Sequence, residues 1–162
     1  MRAGRLEDPR VAPVVHSVEI ARSPEDVFAY LDDLERHDEW NPDIVSSKRE
    51  TDGPTGVGSR ATDLRRGWGG TMSITYEITE HDPPRKSTFR GVNGPVRAVG
   101  TFTAESAGDG GSRVTIELDF QGHGLVGAIF VPLVRRQART HVPVALQGLK
   151  ERLESEPRPP TA

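Results

Sequence analysis

The chain has 162 residues, 24 acidic against 21 Lys and Arg side chains, a net charge of −3 and no cysteine. That length suits one domain able to bury about 69 % of its unfolded surface. The charge gives no electrostatic basis for nucleic-acid binding. The missing thiols exclude disulfides, thiolate metal sites and cysteine nucleophiles.

Residues 1–13 are polar, with two prolines, and predict a loose arm without the apolar core of a signal peptide. Val14, His16, Val18 and Ile20 alternate with Val15, Ser17 and Glu19, which predicts a first strand with His16 pointing inward. Ser23-Pro24-Glu25-Asp26 reads as a helix start, Ser23 at the N-cap and Pro24 in the first turn. Val27, Phe28, Tyr30, Leu31 and Leu34 follow at helical spacing, and a second short helix over 34–39 should stop before Asn41-Pro42.

Six further strands are predicted over 44–51, 59–66, 71–81, 85–92, 96–105 and 112–121, each bounded by Gly- and Pro-rich turns. Gly56-Val57-Gly58-Ser59-Arg60-Ala61 resembles a dinucleotide loop, but strand rather than helix signals follow, so it reads as a turn. Met72, Ile74, Tyr76 and Ile78 share one strand face, and Glu80 continues their register. In the last strand Val114, Ile116, Leu118 and Phe120 face in while Glu117 and Asp119 face out. Those two carboxylates are therefore not an acid/base pair. For 59–66 the alternation sets Arg60, Thr62 and Leu64 against Ala61, Asp63 and Arg65 without saying which set is internal.

A long helix closes the chain over about 125–154, with Val131, Val134, Ala138, Val142, Ala145, Leu149 and Leu153 on one face. Pro132 and Pro143 predict a short first segment over 125–131, a main helix from 132 and a bend near 143. Arg135, Arg136 and Arg139 are assigned to its wet face. Residues 14–155 thus form the single domain, and 156–162 a flexible tail.

The order strand, two helices, six strands, long helix carries a resemblance. Val18-Glu19-Ile20 with Ser23-Pro24-Glu25-Asp26-Val27-Phe28, then Asp33, Trp40-Asn41-Pro42, Val57-Gly58, Gly100-Thr101-Phe102 and Leu149-Lys150-Glu151-Arg152-Leu153-Glu154, is similar to the START-related SRPBCC superfamily in its polyketide cyclase/dehydratase-like branch. The resemblance implies an α+β helix-grip fold, a seven-stranded antiparallel sheet wrapped around the C-terminal helix with a cavity between them. It also implies a hydrophobic ligand such as a lipid, quinone or polyketide, and in some members cyclisation or dehydration.

Expected cavity residues are Met72, Ile74, Tyr76, Phe89 and Phe102 from the strands, Val134 and Ala138 from the helix, with Trp40 and Trp68 at the entrance. His16, Tyr76, Arg60 and His141 are the candidates for polarising a carbonyl and moving a proton, if two of them converge. Binding, transport or sequestration is the first reading, and a lyase- or isomerase-type enzyme working without metal is the alternative. The five histidines lack metal-ligand spacing, so no metal or other cofactor is expected. A protein-binding module would need an exposed apolar patch, and the outward strand positions are Thr, Ser, Glu and Asp. Without an apolar run of about 20 residues, no stable membrane insertion is expected, and cytoplasm is the expected location. Monomer and homodimer stay open.

Overall fold

The computed structural model describes residues 12–67 and 69–157. The predicted arm over 1–11, the tail from 158 onward and Trp68 lie outside those residues. Seven strands run antiparallel in the spatial order β1-β7-β6-β5-β4-β3-β2: β1 (Val14–Ile20), β2 (Ile44–Arg49), β3 (Arg60–Gly67), β4 (Gly70–Asp82), β5 (Lys86–Gly91), β6 (Val96–Ala107) and β7 (Gly111–Gly122). Helix α1 (Pro24–Asp32) and a 3-10 helix (Leu34–Glu39) separate β1 from β2, and α2 (Gly124–Ser155) closes the chain. The curled sheet with its long C-terminal helix is the expected helix grip.

Local chemistry sets the element ends. Ser23 Oγ accepts from the Asp26 amide at 3.2 Å, and Pro24 occupies the first turn, where no amide donor is needed. Residues 56–59 form a turn, with Gly58 at φ 92°. That left-handed conformation suits glycine.

Two expectations about the strands need correction. The register of β4 against β5 shifts between Ile78 and Glu80. Such a bulge reverses the inside-outside alternation beyond it. Glu80 therefore turns out to an ion pair with Lys86 at 2.7 Å, and His81 turns in toward Asp32 at 2.9 Å. Asp119, expected in plain solvent, binds the Arg135 guanidinium.

Helix α2 is one continuous element through both prolines rather than two segments. A helical proline frees the carbonyl four residues earlier. Those carbonyls belong to Ala128 and Arg139, both exposed, so water can satisfy them and the helix need not break. The apolar stripe is in its expected place, but unevenly covered: Val142, Ala145, Leu149 and Leu153 are buried, whereas Val131, Val134 and Ala138 are half-buried. Arg136 and Arg139 are exposed as expected, but Arg135 is only 8 % exposed and also donates to the Ala12 carbonyl at 3.0 Å. Its long stem crosses the apolar layer and delivers its charge to the sheet edge.

The uneven coverage follows from where the core lies. Ile20, Val27, Leu31, Trp40, Val114, Ile116, Val142, Leu146, Leu149 and Leu153 pack into one cluster joining α1, β1, β7 and the C-terminal half of α2. Gly148 lets the helix approach closely, since a Cβ there would lie 2.2 Å from the Trp40 carbonyl oxygen. A second, smaller cluster of Leu34, Ala61, Tyr76 and Ile78, with Phe89 against it, sits beneath the 3-10 helix on β3 and β4. Helix α2 packs chiefly on β1 and β7, and the inner face of the middle strands is less fully covered.

Candidate functional site

Strand β3 pairs with β4 so that Ala61 faces Tyr76, Asp63 faces Ile74 and Arg65 faces Met72. Ala61 and Tyr76 are core residues, so Asp63 and Arg65 share their inner face. The other set points out. Arg60 binds Glu77 at 3.1 Å on the outer surface, which removes it from the interior.

The 3-10 helix brings His37 over this face. Its Nε2 lies 2.9 Å from the Leu31 carbonyl, an acceptor only, which assigns the ring proton to Nε2. Nδ1 is then a lone-pair acceptor, and the Tyr76 hydroxyl donates to it at 3.3 Å. The two rings stack with centroids 6.3 Å apart and planes 10° off parallel. Trp40 on one side of His37 and Phe89 then Phe102 beyond Tyr76 extend the contact into a continuous aromatic line.

Asp63 lies in the same region and is 4 % exposed. Ser47 Oγ donates to its carboxyl at 2.7 Å. Burial pushes the Asp63 carboxyl above the usual carboxylate range, while Ser47, His37 and Arg65 act to lower it. Burial, reinforced by the Asp63 charge, pushes the Tyr76 phenol up as well. Tyr76 is thus held as a neutral O–H, a hydrogen-bond donor and not a phenolate. A neutral donor, an imidazole with one free lone pair and a buried carboxyl together can bind a carbonyl or hydroxyl oxygen and exchange a proton with it.

An apolar surface adjoins this cluster. Ile74, Phe89, Phe102 and Leu118 on the sheet, with Val134 and Ala138 on the helix stripe, are half-buried instead of sealed. Gly100 is part of its construction: a Cβ there would fall 2.3 Å from the Phe89 ring, so only glycine lets that ring lie flat on β6. Met72, at 53 % exposed, stands at the outer limit of the face.

The remaining candidates are dispersed. His16 faces inward on β1 opposite Ile116, and His141 on α2 has its Nδ1 at 2.6 Å from Asp43. Tyr76 meets His37 instead of His16, Arg60 or His141, so those four do not form the expected convergence. Trp40, expected at the entrance, is 7 % exposed and belongs to the core, its indole N–H buried without a hydrogen-bond partner among the described residues. Near it an open groove of about 570 Å³ lies between the end of the 3-10 helix and Pro143–Glu151 of α2. Among the described residues no three His, Asp or Glu side chains gather as a metal-binding group, and no helix is long and apolar enough to cross a membrane.

Sequence reasoning missed His37, Asp63 and Arg65. For the latter two the only missing datum was the facing of β3; His37 gave no signal, because a 3-10 helix of six residues has too little periodicity to orient a side chain.

Comparison with known proteins agrees with this fold. A protein of Mycobacterium tuberculosis strain H37Rv, itself named only as uncharacterised, is 24 % identical over 119 residues, 74 % of this chain and 83 % of its own length. A START superfamily protein from Mycobacterium smegmatis superposes with a TM-score of 0.72 at 19 % identity, over 89 % of this chain and 98 % of the other. The Zhui aromatase/cyclase of a Streptomyces species gives 0.73 at 15 % identity, over 88 % and 93 %. At such identities the structural likeness speaks for the fold alone. The family model described as polyketide cyclase/dehydrase and lipid transport matches residues 12–154. By the match of nearly its whole length, the chain belongs to that family.

Proposed function

We propose that the protein binds a hydrophobic small molecule on the inner face of its sheet, between the middle strands and α2, with an oxygen-bearing end directed at Tyr76, His37 and Asp63. The carrying observation is that Ile74, Phe89, Phe102 and Leu118 stay half-buried on a face lined by this polar cluster. Apolar walls with a few placed polar groups are the usual make-up of a small-molecule site. Membership of a family described by cyclase, dehydrase and lipid-transport activities supports the same class of ligand. Native mass spectrometry of the protein purified from its own host, followed by extraction and identification of what is bound, tests it. A stoichiometric lipid, quinone or polyketide is the expected result. Repeatedly empty protein that also fails to bind a panel of such compounds overturns the reading.

A second reading, a cyclase- or dehydratase-type lyase or isomerase, is favoured by the Tyr76–His37 pair. A substrate ketone oxygen that takes the Tyr76 O–H from His37 leaves Nδ1 free to accept a proton from the adjacent acidic C–H. The enolate so formed keeps its charge on the oxygen held by Tyr76. The enolate carbon then bonds to a second carbonyl carbon of the same substrate, and the proton held by the imidazole passes to the alkoxide that forms there. Turnover of a poly-β-ketone, abolished in His37→Gln with binding retained, is the expected outcome of this reading; binding without turnover in the unmodified protein refutes it.

A further inference from the structure

The first third of α2 is apolar on two opposite sides, and the sheet covers only one of them. Gly127 is buried, and Val131 and Val134 are half-buried, on the side facing the strands. Opposite them Leu125 is 81 % exposed, Val126 55 %, Ile129 61 %, Phe130 40 % and Leu133 41 %. Leu125, Ile129 and Leu133 form one row four residues apart, and Val126 and Phe130 the adjoining row, a continuous surface and not scattered single residues. A helix apolar all round is ordinarily enclosed. This surface corrects the expectation, drawn from the strands alone, that no exposed apolar patch exists.

Along this stretch of the helix the charge has one sign, and Asp119 beside it is paired with Arg135. From Phe120 to Lys150 there is no Asp or Glu, in a chain whose net charge is −3. Arg136 and Arg139, both exposed, follow directly on the apolar rows. Met72 lies at the same end of the molecule: Asn93 of the β5–β6 loop accepts from the Thr75 amide of β4, and Pro95 of that loop accepts from the His123 amide at the start of α2. We infer that this end of α2 docks the protein reversibly on an anionic phospholipid surface, the apolar rows entering the headgroup boundary and Arg136 and Arg139 meeting lipid phosphates.

Three observations select a membrane over a second copy of the chain. Five partly exposed side chains make a small patch beside the roughly 800 Å² per partner that a stable pair buries. In a second copy the stretch of α2 facing Arg136 and Arg139 would hold no acidic residue to neutralise them, since none lies between Phe120 and Lys150. The apolar run from Leu125 to Val134 is ten residues, about 15 Å of helix. That is too short to span a bilayer and suited to lying in its interface. The inference is independent of which ligand, if any, the inner face binds.

Flotation of the full chain with vesicles of phosphatidylcholine alone, and with about 30 % phosphatidylglycerol, tests it. The expected result is binding to the anionic vesicles, several-fold weaker on the neutral ones and weaker again as NaCl rises. Leu125→Gln with Ile129→Gln replaces two exposed side chains by good helix formers, so the fold should survive, verified by an unchanged melting temperature; vesicle binding should fall by about tenfold or more. Arg136→Glu with Arg139→Glu should abolish the preference for anionic lipid. No binding to anionic vesicles, or binding indifferent to both pairs of substitutions, overturns the proposal. A concentration-dependent dimer by analytical ultracentrifugation that Leu125→Gln with Ile129→Gln dissociates also overturns it, and assigns the face to a second copy.

Discussion

Replacing Tyr76 with Phe removes one oxygen from the centre of the candidate site and nothing else. The hydroxyl makes a single hydrogen bond, to His37 Nδ1, at 3.3 Å, near the long limit for such a contact. Its net contribution to stability should therefore lie at the lower end of the usual range, about 0.5–1 kcal/mol. The ring is retained, and with it the stacking on His37 and the edge contact with Phe89 at 5.6 Å. Tyr76→Ala, which loses the ring and opens a cavity between Leu34, Ala61 and Ile78, should cost about 3–5 kcal/mol. Function should divide the other way. If the Tyr76 O–H is donated to a ligand oxygen, the Phe variant should bind a ketone or phenol about tenfold more weakly and the matching hydrocarbon unchanged. Urea denaturation gives the first pair of numbers, and displacement of an apolar fluorescent dye by paired oxygenated and deoxygenated aromatics gives the second. A Phe variant that loses more than about 3 kcal/mol, or weakens both ligands equally, refutes the assignment of this hydroxyl to ligand recognition.

Gly148→Ala sets helix propensity against sterics. Alanine is favoured by about 1 kcal/mol in a helix interior, but its Cβ would lie 2.2 Å from the Trp40 carbonyl oxygen, backbone that cannot rotate aside. Net destabilisation of about 2 kcal/mol or more is expected in thermal unfolding; a neutral or stabilised variant would show that α2 stands further from Trp40. Asp63→Asn tests the buried carboxyl through pH. Because burial raises the Asp63 pKa, the folded state holds this proton more firmly than the unfolded chain does. Stability is then fully present below the ordinary carboxylate value and declines as pH rises from there to the folded value. Asparagine can still accept from Ser47, so the variant should gain on the parent protein across that window and not below it; parallel stability curves would refute it. Arg60→Ala, on the outer face in a half-exposed ion pair with Glu77, should change stability by less than about 1 kcal/mol and leave ligand binding alone, and a lost ligand in this variant would contradict its placement.

The fold was legible because its signals are redundant. Ser23 and Pro24 mark the start of α1, the alternation in β1, β4 and β7 fixes the core face of each, and the stripe from Val131 to Leu153 assigns the inner side of α2. The site was less legible, since each part of it depends on a fact with no local signal. Strand β3 mixes Arg, Thr, Asp and Leu on both faces, so its inward set is decided by pairing with β4, which puts Asp63 beside Ile74. The bulge after Ile78 exchanges Glu80 for His81, and no glycine or proline at that point announces it. Arg135 is buried because its charge finds Asp119 and Ala12 at the sheet edge, contacts between residues on separate elements.

The main core and the face proposed to bind a ligand lie against different parts of the molecule, and that separation explains why the polar cluster is tolerated. The main core joins α1, β1, β7 and the stretch from Val142 to Leu153, where Gly148 allows close approach to Trp40. That half holds the helix in place. The half from Leu125 to Ala138 contributes less buried surface, and the β3–β4 face that carries Asp63, Arg65 and Tyr76 is covered by the 3-10 helix instead. A buried carboxyl and hydroxyl are a stability debit wherever they sit. Buried beneath the 3-10 helix, beside the half-buried face proposed to take the ligand, they sit apart from the main core that keeps the chain folded.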